Sequence, residues 1–125
     1  MVAIRVIVTF GPDVRTFVKT LSVDGVPVAQ VEVAVSYAAR SKGLLGRDGI
    51  ATGLVLRPGS SVHTFGMRFA IDVVYVRRDG RVLAVAPMRP HRLGRPRLRS
   101  AWILETEAGR AAAWGIVPGR ELGLA

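Results

Sequence analysis

Two short turn sequences constrain the fold of this chain most strongly. Asp24–Gly25 and Asp79–Gly80 each lie between runs in which apolar residues alternate with other residues. An Asp-Gly pair in that setting is a strong β-hairpin signal, because the tightest hairpin turns need positive φ at both positions. The 14 glycines and 7 prolines keep regular elements short. We therefore predict a mainly β (α+β) fold, a compact antiparallel β sandwich or partly closed barrel with two short helices.

The helices and remaining strands follow from caps and periodicity. Ser36 is a suitable N-cap for a helix over Tyr37–Leu45, with Gly46 as its left-handed C-terminal residue. Thr106 is predicted to cap a second helix over Ala108–Trp114, with Glu107 in its first turn. Strands are predicted at Leu54–Leu56, Val62–Phe65, Ile71–Arg77, Arg81–Met88, Trp102–Glu105 and Glu121–Leu124.

The length of 125 residues fits one domain with a core of its own. Val2–Phe10 alternates like a strand and is interpreted as an edge strand or an added extension; Val14–Leu21 has helical spacing that allows a short helical turn. We divide the chain into an N-terminal strand or extension at residues 1–19 and a single β-rich domain at residues 20–125.

Composition excludes several classes of site. The chain has no cysteine, which rules out disulfides, thiolate zinc sites and cysteine nucleophiles. No apolar run approaches the roughly 20 residues that a membrane helix needs, and no signal-peptide pattern is present. We expect a cytoplasmic monomer without membrane insertion and predict no metal or other cofactor.

The stretch Ser61–Val76 carries the candidate site. Asp72 interrupts an apolar strand, where an isolated carboxylate is costly, so its side chain must be paired or hydrogen-bonded. It either anchors the Gly66–Ala70 turn through backbone N–H groups or faces a ligand. His63 could serve as a general base, as a metal ligand, as a hydrogen-bond donor to a bound anion, or as a structural histidine bonded to the backbone.

We predict a pocket where the glycine-rich loop at residues 43–53 meets the turn at residues 63–72. No Gly-x-Ser-x-Gly elbow surrounds Ser60 or Ser61, so neither serine has the setting of a nucleophile. Glu105 and Glu107 are spaced to lie on one face of a strand, but Glu107 is assigned to the N-terminus of the second helix. The candidate ligand-binding residues are Arg47, His63, Thr64 and Asp72 for polar contacts, with Phe65 and Met67 as apolar wall.

The net charge of +9 is concentrated in one segment. Arg77–Arg99 holds eight arginines against the single acid Asp79, and such a stripe attracts polyanions nonspecifically. It lacks interleaved aromatic residues for base stacking, so a solvated basic face is the favoured interpretation. The candidate polyanion-binding residues are Arg89, Arg92, Arg95, Arg97 and Arg99.

An ordered set of landmarks resembles a known family. The set is Gly43-Leu44-Leu45-Gly46-Arg47, His63-Thr64-Phe65-Gly66-Met67, Ile71-Asp72-Val73, Leu104-Glu105 with Ala108-Gly109, and Gly115-Ile116 with Pro118-Gly119. In this order it resembles the prokaryotic domain of unknown function 192 over about residues 20 to 125. The resemblance implies a compact, mostly β fold and no established activity. Many relatives look exported or membrane-anchored, and they often have Gly-Asp where this chain has Gly119-Arg120.

Three functional hypotheses follow. The leading one is a non-catalytic binding or accessory domain whose partner is a small molecule or a protein, held by a polar pocket around His63 and Asp72. The alternative is a hydrolase that uses His63 as base and Asp72 to orient it, which requires the two side chains within hydrogen-bond reach. The third is nucleic-acid or polyanion binding through residues 77–99.

Overall fold

The computed structural model describes residues 7–9 and 15–125. Strands dominate, and the two helices are short, which confirms a mainly β fold. No helix in these ranges is long and apolar enough to cross a membrane. The elements, in chain order, are β1 Ile7–Thr9, β2 Arg15–Val23, β3 Val26–Ala34, α1 Tyr37–Lys42, β4 Gly53–Leu56, β5 Ile71–Val76, β6 Val82–Met88, β7 Trp102–Glu107, α2 Arg110–Ala113 and β8 Leu122–Leu124.

The strands form one mixed sheet. Seven lie in the order β1-β2-β3-β4-β7-β5-β6, and β8 pairs with β2 beside this path. β3 and β4 are parallel, whereas the other pairs are antiparallel. The sheet is not closed into a barrel and is not a wholly antiparallel sandwich. The reason is the connection at residues 35–52, which includes α1 and is long enough for the crossover that parallel strands require.

Both faces of the sheet are buried, and each has its own apolar cluster. Along β5, Val74 and Val76 join the first cluster, whereas Ile71, Val73 and Tyr75 join the second. Side chains alternate between the two faces of a strand, so every residue of β5 is buried. This two-sided burial explains why β5 is apolar at nearly every position.

Both predicted hairpins form. β2 and β3 are joined by Asp24 and Gly25, whose φ values of 48° and 82° fit the expected turn. β5 and β6 pair across the turn at residues 77–81. Local turn chemistry therefore determines two of the closest strand pairings.

Three local predictions are wrong. Of Val14–Leu21, the described residues 15–21 belong to β2 rather than to a helical turn, and β2 continues without a break through residues 19 and 20. Residues 62–65 form only an isolated bridge between His63 and Leu93. Thr106 lies in β7 and donates from Oγ1 to the Thr52 carbonyl at 2.6 Å, so it caps no helix.

The helix boundaries also differ from prediction. Ser36 caps α1 as predicted, and its Oγ accepts a hydrogen bond from the Ala39 amide at 3.0 Å. The helix ends earlier than predicted, because Gly43 rather than Gly46 is the C-cap. The division of the chain at residue 20 stays a prediction.

Candidate functional site

A cleft of about 410 Å³ lies beside α1 and is called the α1 cleft. It is lined by residues of α1, by residues 43–45 and 58–63, and by Leu56, Met67 and Glu105. Leu44, Leu56, Val62 and Met67 belong to the second apolar cluster and form its walls. The cleft therefore opens on the sheet face that α1 covers.

Glu105 is the most deeply buried charged residue of the α1 cleft. In β7 it shares a face with Ile103 of the second cluster, and only 3% of its surface is exposed. Its Oε1 atom has no hydrogen-bond partner among the described residues. Burial of an unpaired carboxyl oxygen is unfavourable in a folded protein, so Glu105 stands out as an unsatisfied group at the base of a cleft.

The electrostatics of Glu105 reflect this position. Burial raises the pKa of the carboxyl group to about 7, while the positive charge of Arg47 acts in the opposite direction. Arg47 itself donates two hydrogen bonds to Glu32, at 2.8 and 3.0 Å. Burial thus moves the pKa of the Glu105 carboxyl group close to neutral pH.

Asp72 lies on the opposite face of the sheet, the face of Val74 and Val76. It is 7% exposed, and its Oδ2 atom accepts hydrogen bonds from the backbone N–H groups of Gly109 at 2.9 Å and Ala111 at 3.3 Å. The local N-cap of α2, Gly109, offers no side chain for this purpose. Asp72 therefore caps α2 from a neighbouring strand.

Thr64 and its neighbours organise the turn at the mouth of the cleft. Thr64 is fully buried; its Oγ1 atom donates to the Arg89 carbonyl at 2.6 Å and accepts from the Arg92 amide at 2.9 Å. His63 is exposed, lines the α1 cleft and stacks on Phe65 with ring centroids 5.3 Å apart. Thr64 thus has a structural role, whereas His63 is accessible to a ligand.

A second cleft of about 410 Å³, called the arginine cleft, is lined by Tyr75 and by residues from 86 to 97. Tyr75 lies within it, and the Arg97 guanidinium is 5.1 Å from the centroid of that ring. In residues 7–9 and 15–125, none of its arginines forms an ion pair with a carboxylate. The arginines that line it are Arg89, Arg92, Arg95 and Arg97.

Comparison with known proteins assigns a family. The model of DUF192, described as an uncharacterized ACR, matches residues 19–124. The chain belongs to the DUF192 family. It is 30% identical to the UPF0127 protein PH1112 of Pyrococcus horikoshii, over 73% of this chain and 80% of that protein.

Two crystal structures share the fold of this DUF192 protein. One, a protein of unknown function from Novosphingobium aromaticivorans, gives a TM-score of 0.77 at 23% identity and covers 97% of this chain and 93% of its own. The other, a "putative transcription regulator" from Sinorhizobium meliloti, gives a TM-score of 0.75 at 22% identity and covers 91% and 98%. At these identities the likeness concerns the fold alone.

Three of the sequence landmarks of this DUF192 protein, those that contain Gly43, His63 and Glu105, meet around the α1 cleft. Gly43 lies against Glu105, since a Cβ atom on Gly43 would lie 3.4 Å from Oε1. Its φ of 48° and ψ of −125° also favour glycine. His63 and Met67 complete the same cleft. Landmarks that are distant in sequence thus build one site.

The structure brings together only part of the predicted pocket. Of the six candidate residues, His63 and Met67 line the α1 cleft, and Arg47 acts on it electrostatically. The polar groups of Thr64 and Asp72 are used by backbone partners, and half-exposed Phe65 only stacks on His63. His63 and Asp72 lie on opposite sheet faces, so the pair that the hydrolase hypothesis requires is not formed.

The sequence prediction missed Glu105 as a site residue. It grouped Glu105 with Glu107, but Glu107 is exposed and pairs with Arg110 at 3.1 Å. The available signal was the alternation of β7, which places Glu105 on the same face as Ile103. In the described residues, no three histidine or carboxylate side chains group as a metal site would require.

Proposed function

We propose that this DUF192 domain binds a small molecule in the α1 cleft and acts as a non-catalytic binding or accessory domain. One observation carries the proposal: the Glu105 carboxyl lies at the base of an open cleft, almost fully buried, with Oε1 lacking a protein partner. Buried polar groups are nearly always hydrogen-bonded. A ligand that donates to Oε1 would supply the missing bond.

The shape and composition of the cleft support the same proposal. Its volume of about 410 Å³ falls within the usual range for small-molecule sites. Apolar side chains of the second cluster and polar side chains line it together, and small-molecule pockets typically combine apolar walls with polar groups that orient the ligand. The polar residues that line the α1 cleft include Arg40, Lys42, Ser60, Ser61, His63 and Glu105.

Binding is favoured over hydrolysis by the hydrogen bonds that the cleft lacks. Nucleophilic catalysis requires a hydroxyl group within hydrogen-bond reach of its base. In the described part of the chain, neither the Ser60 nor the Ser61 hydroxyl bonds to His63, and the carboxylate proposed to orient His63 caps α2 instead. A perturbed carboxyl group without a nucleophile–base pair is better suited to holding a ligand.

The proposal is tested by screening a fragment library with ligand-observed NMR and thermal shift. Binders should be lost or weakened in Glu105→Gln and in His63→Ala. The matched control is Asp72→Asn, which alters a buried carboxylate on the opposite face and should leave binding intact. If no fragment binds, or if hits bind equally to Glu105→Gln and His63→Ala, the α1 cleft is not a ligand site.

A second function, polyanion binding through the arginine cleft, is supported by a different observation. Four arginines line one cleft and lack carboxylate partners among the described residues. A phosphate-rich chain releases its own condensed counterions when arginines neutralise its phosphates, so its binding weakens steeply with salt. The solved relative called a "putative transcription regulator" is compatible with this function but shares only the fold.

Fluorescence anisotropy with a labelled single-stranded oligonucleotide, measured across a salt series, tests the second function. Replacing Arg92 and Arg95 by Gln should weaken binding and reduce the salt slope by about two. Arg78→Gln, which changes an exposed arginine outside the cleft, is the control. Equal losses in both variants, or a flat salt dependence, would reduce the cleft to part of a general basic surface.

A further inference from the structure

The polar groups of the α1 cleft are arranged by charge, and this arrangement narrows the class of ligand. Glu105 is the acidic group and is almost completely buried. Arg40 and Lys42, from the last turn of α1, line the same cleft and are only partly buried. Leu44 and Met67 contribute apolar walls to the same cleft. The cleft is therefore bipolar, with a negative base and a positive rim.

The base of the cleft requires a hydrogen-bond donor. Oε1 of Glu105 has no partner among the described residues, and an ionised carboxylate only accepts hydrogen bonds. Of the nearby cations, Arg47 already donates two bonds to Glu32. Gly43 leaves room beside Oε1 because it has no Cβ atom. A compact ammonium group, with three donors and a full charge, matches this environment best.

The cationic rim of the cleft requires an anionic group on the ligand. No carboxylate pairs with Arg40 or Lys42 in residues 7–9 and 15–125. The last turn of α1 thus offers two cationic side chains to the cleft, those of Arg40 and Lys42. An anionic group on the ligand gains from both charges, and charge-assisted contacts are the stronger type.

We propose that the α1 cleft binds a zwitterionic small molecule whose ammonium group contacts Glu105 and whose anionic group contacts Arg40 and Lys42. This inference rests on the proposed function and specifies its ligand class. A short apolar chain between the two charged groups packs against the cleft walls. The length of that chain is set by the distance from base to rim, so it is an experimental readout.

Binding by such a ligand is coupled to protonation. An ammonium group favours the ionised form of Glu105, so the protein releases a proton when the ligand binds near neutral pH. The other charged or titratable groups around the carboxyl are Arg47 after α1, Tyr75 on β5, Arg40 and Lys42 on α1, and His63 at the rim. Proton release is therefore compared between the unmodified protein and Glu105→Gln, in which it should be lost.

The test is a titration of isotope-labelled protein, followed through the amide signals of Gly43, Leu44 and Val62. The probes are ω-amino acids of increasing length: glycine, β-alanine, γ-aminobutyrate and ε-aminohexanoate. Propylamine and butyrate serve as single-charge probes matched to γ-aminobutyrate. One amino acid of the series should bind at least about tenfold tighter than either single-charge probe.

Three variants separate the contributions of base and rim. Glu105→Gln should weaken the best amino acid about tenfold or more and leave butyrate unchanged. The double variant Arg40→Gln, Lys42→Gln should reduce the amino acid to the affinity of the amine. Asp72→Asn should bind like the unmodified protein. Thermal melting of each variant verifies that it is folded.

The outcomes distinguish the zwitterion inference from the proposed small-molecule binding on which it rests. Butyrate binding tighter than every amino acid, or full affinity in Glu105→Gln, overturns the zwitterion inference while small-molecule binding stands. The same holds if fragments bind in the cleft but no amino acid does. If neither the series nor a fragment library shifts the cleft signals, the proposed function itself fails.

Discussion

Asp72 and Glu105 are two buried carboxylates on one sheet, and they differ in whether their oxygen atoms are hydrogen-bonded. Asp72 on β5 accepts two backbone N–H groups of α2, whereas Glu105 on β7 leaves Oε1 without a partner in the part of the chain that the structure describes. They face opposite sides, Asp72 the α2 side and Glu105 the α1 side. Burial alone therefore does not mark a site; burial without a partner, at an open cleft, does.

The largest effect is expected from Asp72→Ala. Two N–H groups at the start of α2 lose their charged acceptor, and that of Ala111 is buried, so stability should fall by about 3 kcal/mol. Urea unfolding measures this loss. Asp72→Asn keeps an acceptor oxygen and should recover part of it. An Asp72→Ala protein of full stability would contradict the capping role of this carboxylate.

Glu105 should make the free energy of unfolding depend on pH. Its folded-state pKa of about 7 lies above the ordinary value of 4.5, so the folded protein binds the proton more tightly than the unfolded chain. This contribution is favourable to folding near pH 5 and is lost as pH rises through the folded-state pKa, by about 2 kcal/mol between pH 5 and pH 8.

Glu105→Gln removes that slope, and denaturant unfolding at several pH values compares the two proteins. The variant should be more stable than the unmodified protein at pH 8 and close to it at pH 5. Identical pH profiles would mean that Glu105 is ionised and satisfied in the fold, which would also remove the argument for a ligand there.

Arg47→Gln sharpens the comparison by removing the positive charge near Glu105. The part-buried ion pair with Glu32 is lost, so stability should fall by about 1.5 kcal/mol. The pKa of Glu105 should rise further, because Arg47 holds it down. The pH slope should therefore move to higher pH, and a shift to lower pH would contradict the assignment.

The smallest effect is expected from Glu107→Gln, two residues from Glu105 on the same strand. Its carboxylate is 54% exposed and pairs only with Arg110 on the surface, so the loss should stay below about 0.5 kcal/mol. The pH slope due to Glu105 should be unchanged. A larger response would show that the two carboxylates act together, as their spacing first suggested.

Local chemistry made part of the fold predictable. Asp24–Gly25 and Ser36 act through neighbouring residues, so the hairpin and the cap could be read directly from the sequence. Residues 15–21 were harder, because a few apolar side chains fit both helical and strand spacing. The parallel pairing of β3 with β4 depends on how the connection at residues 35–52 packs, which no local pattern specifies.

The site was less predictable for the same reason. Asp72 was correctly expected to need partners, but its donors Gly109 and Ala111 lie far along the chain. Periodicity assigned Glu105 to a face without revealing that an open cleft lies above it. Long-range packing decides which buried carboxylate is satisfied, and a single sequence carries little information on such contacts.

The crossover between β3 and β4 has a consequence for the cleft. Both of its ends are anchored in adjacent strands, while the segment between them contributes α1 and one wall of the cleft. A change in the length or charge of this connection would alter that wall of the cleft without changing the residues that pair β3 with β4. Under the proposed function, ligand preference would then change while the scaffold stays the same.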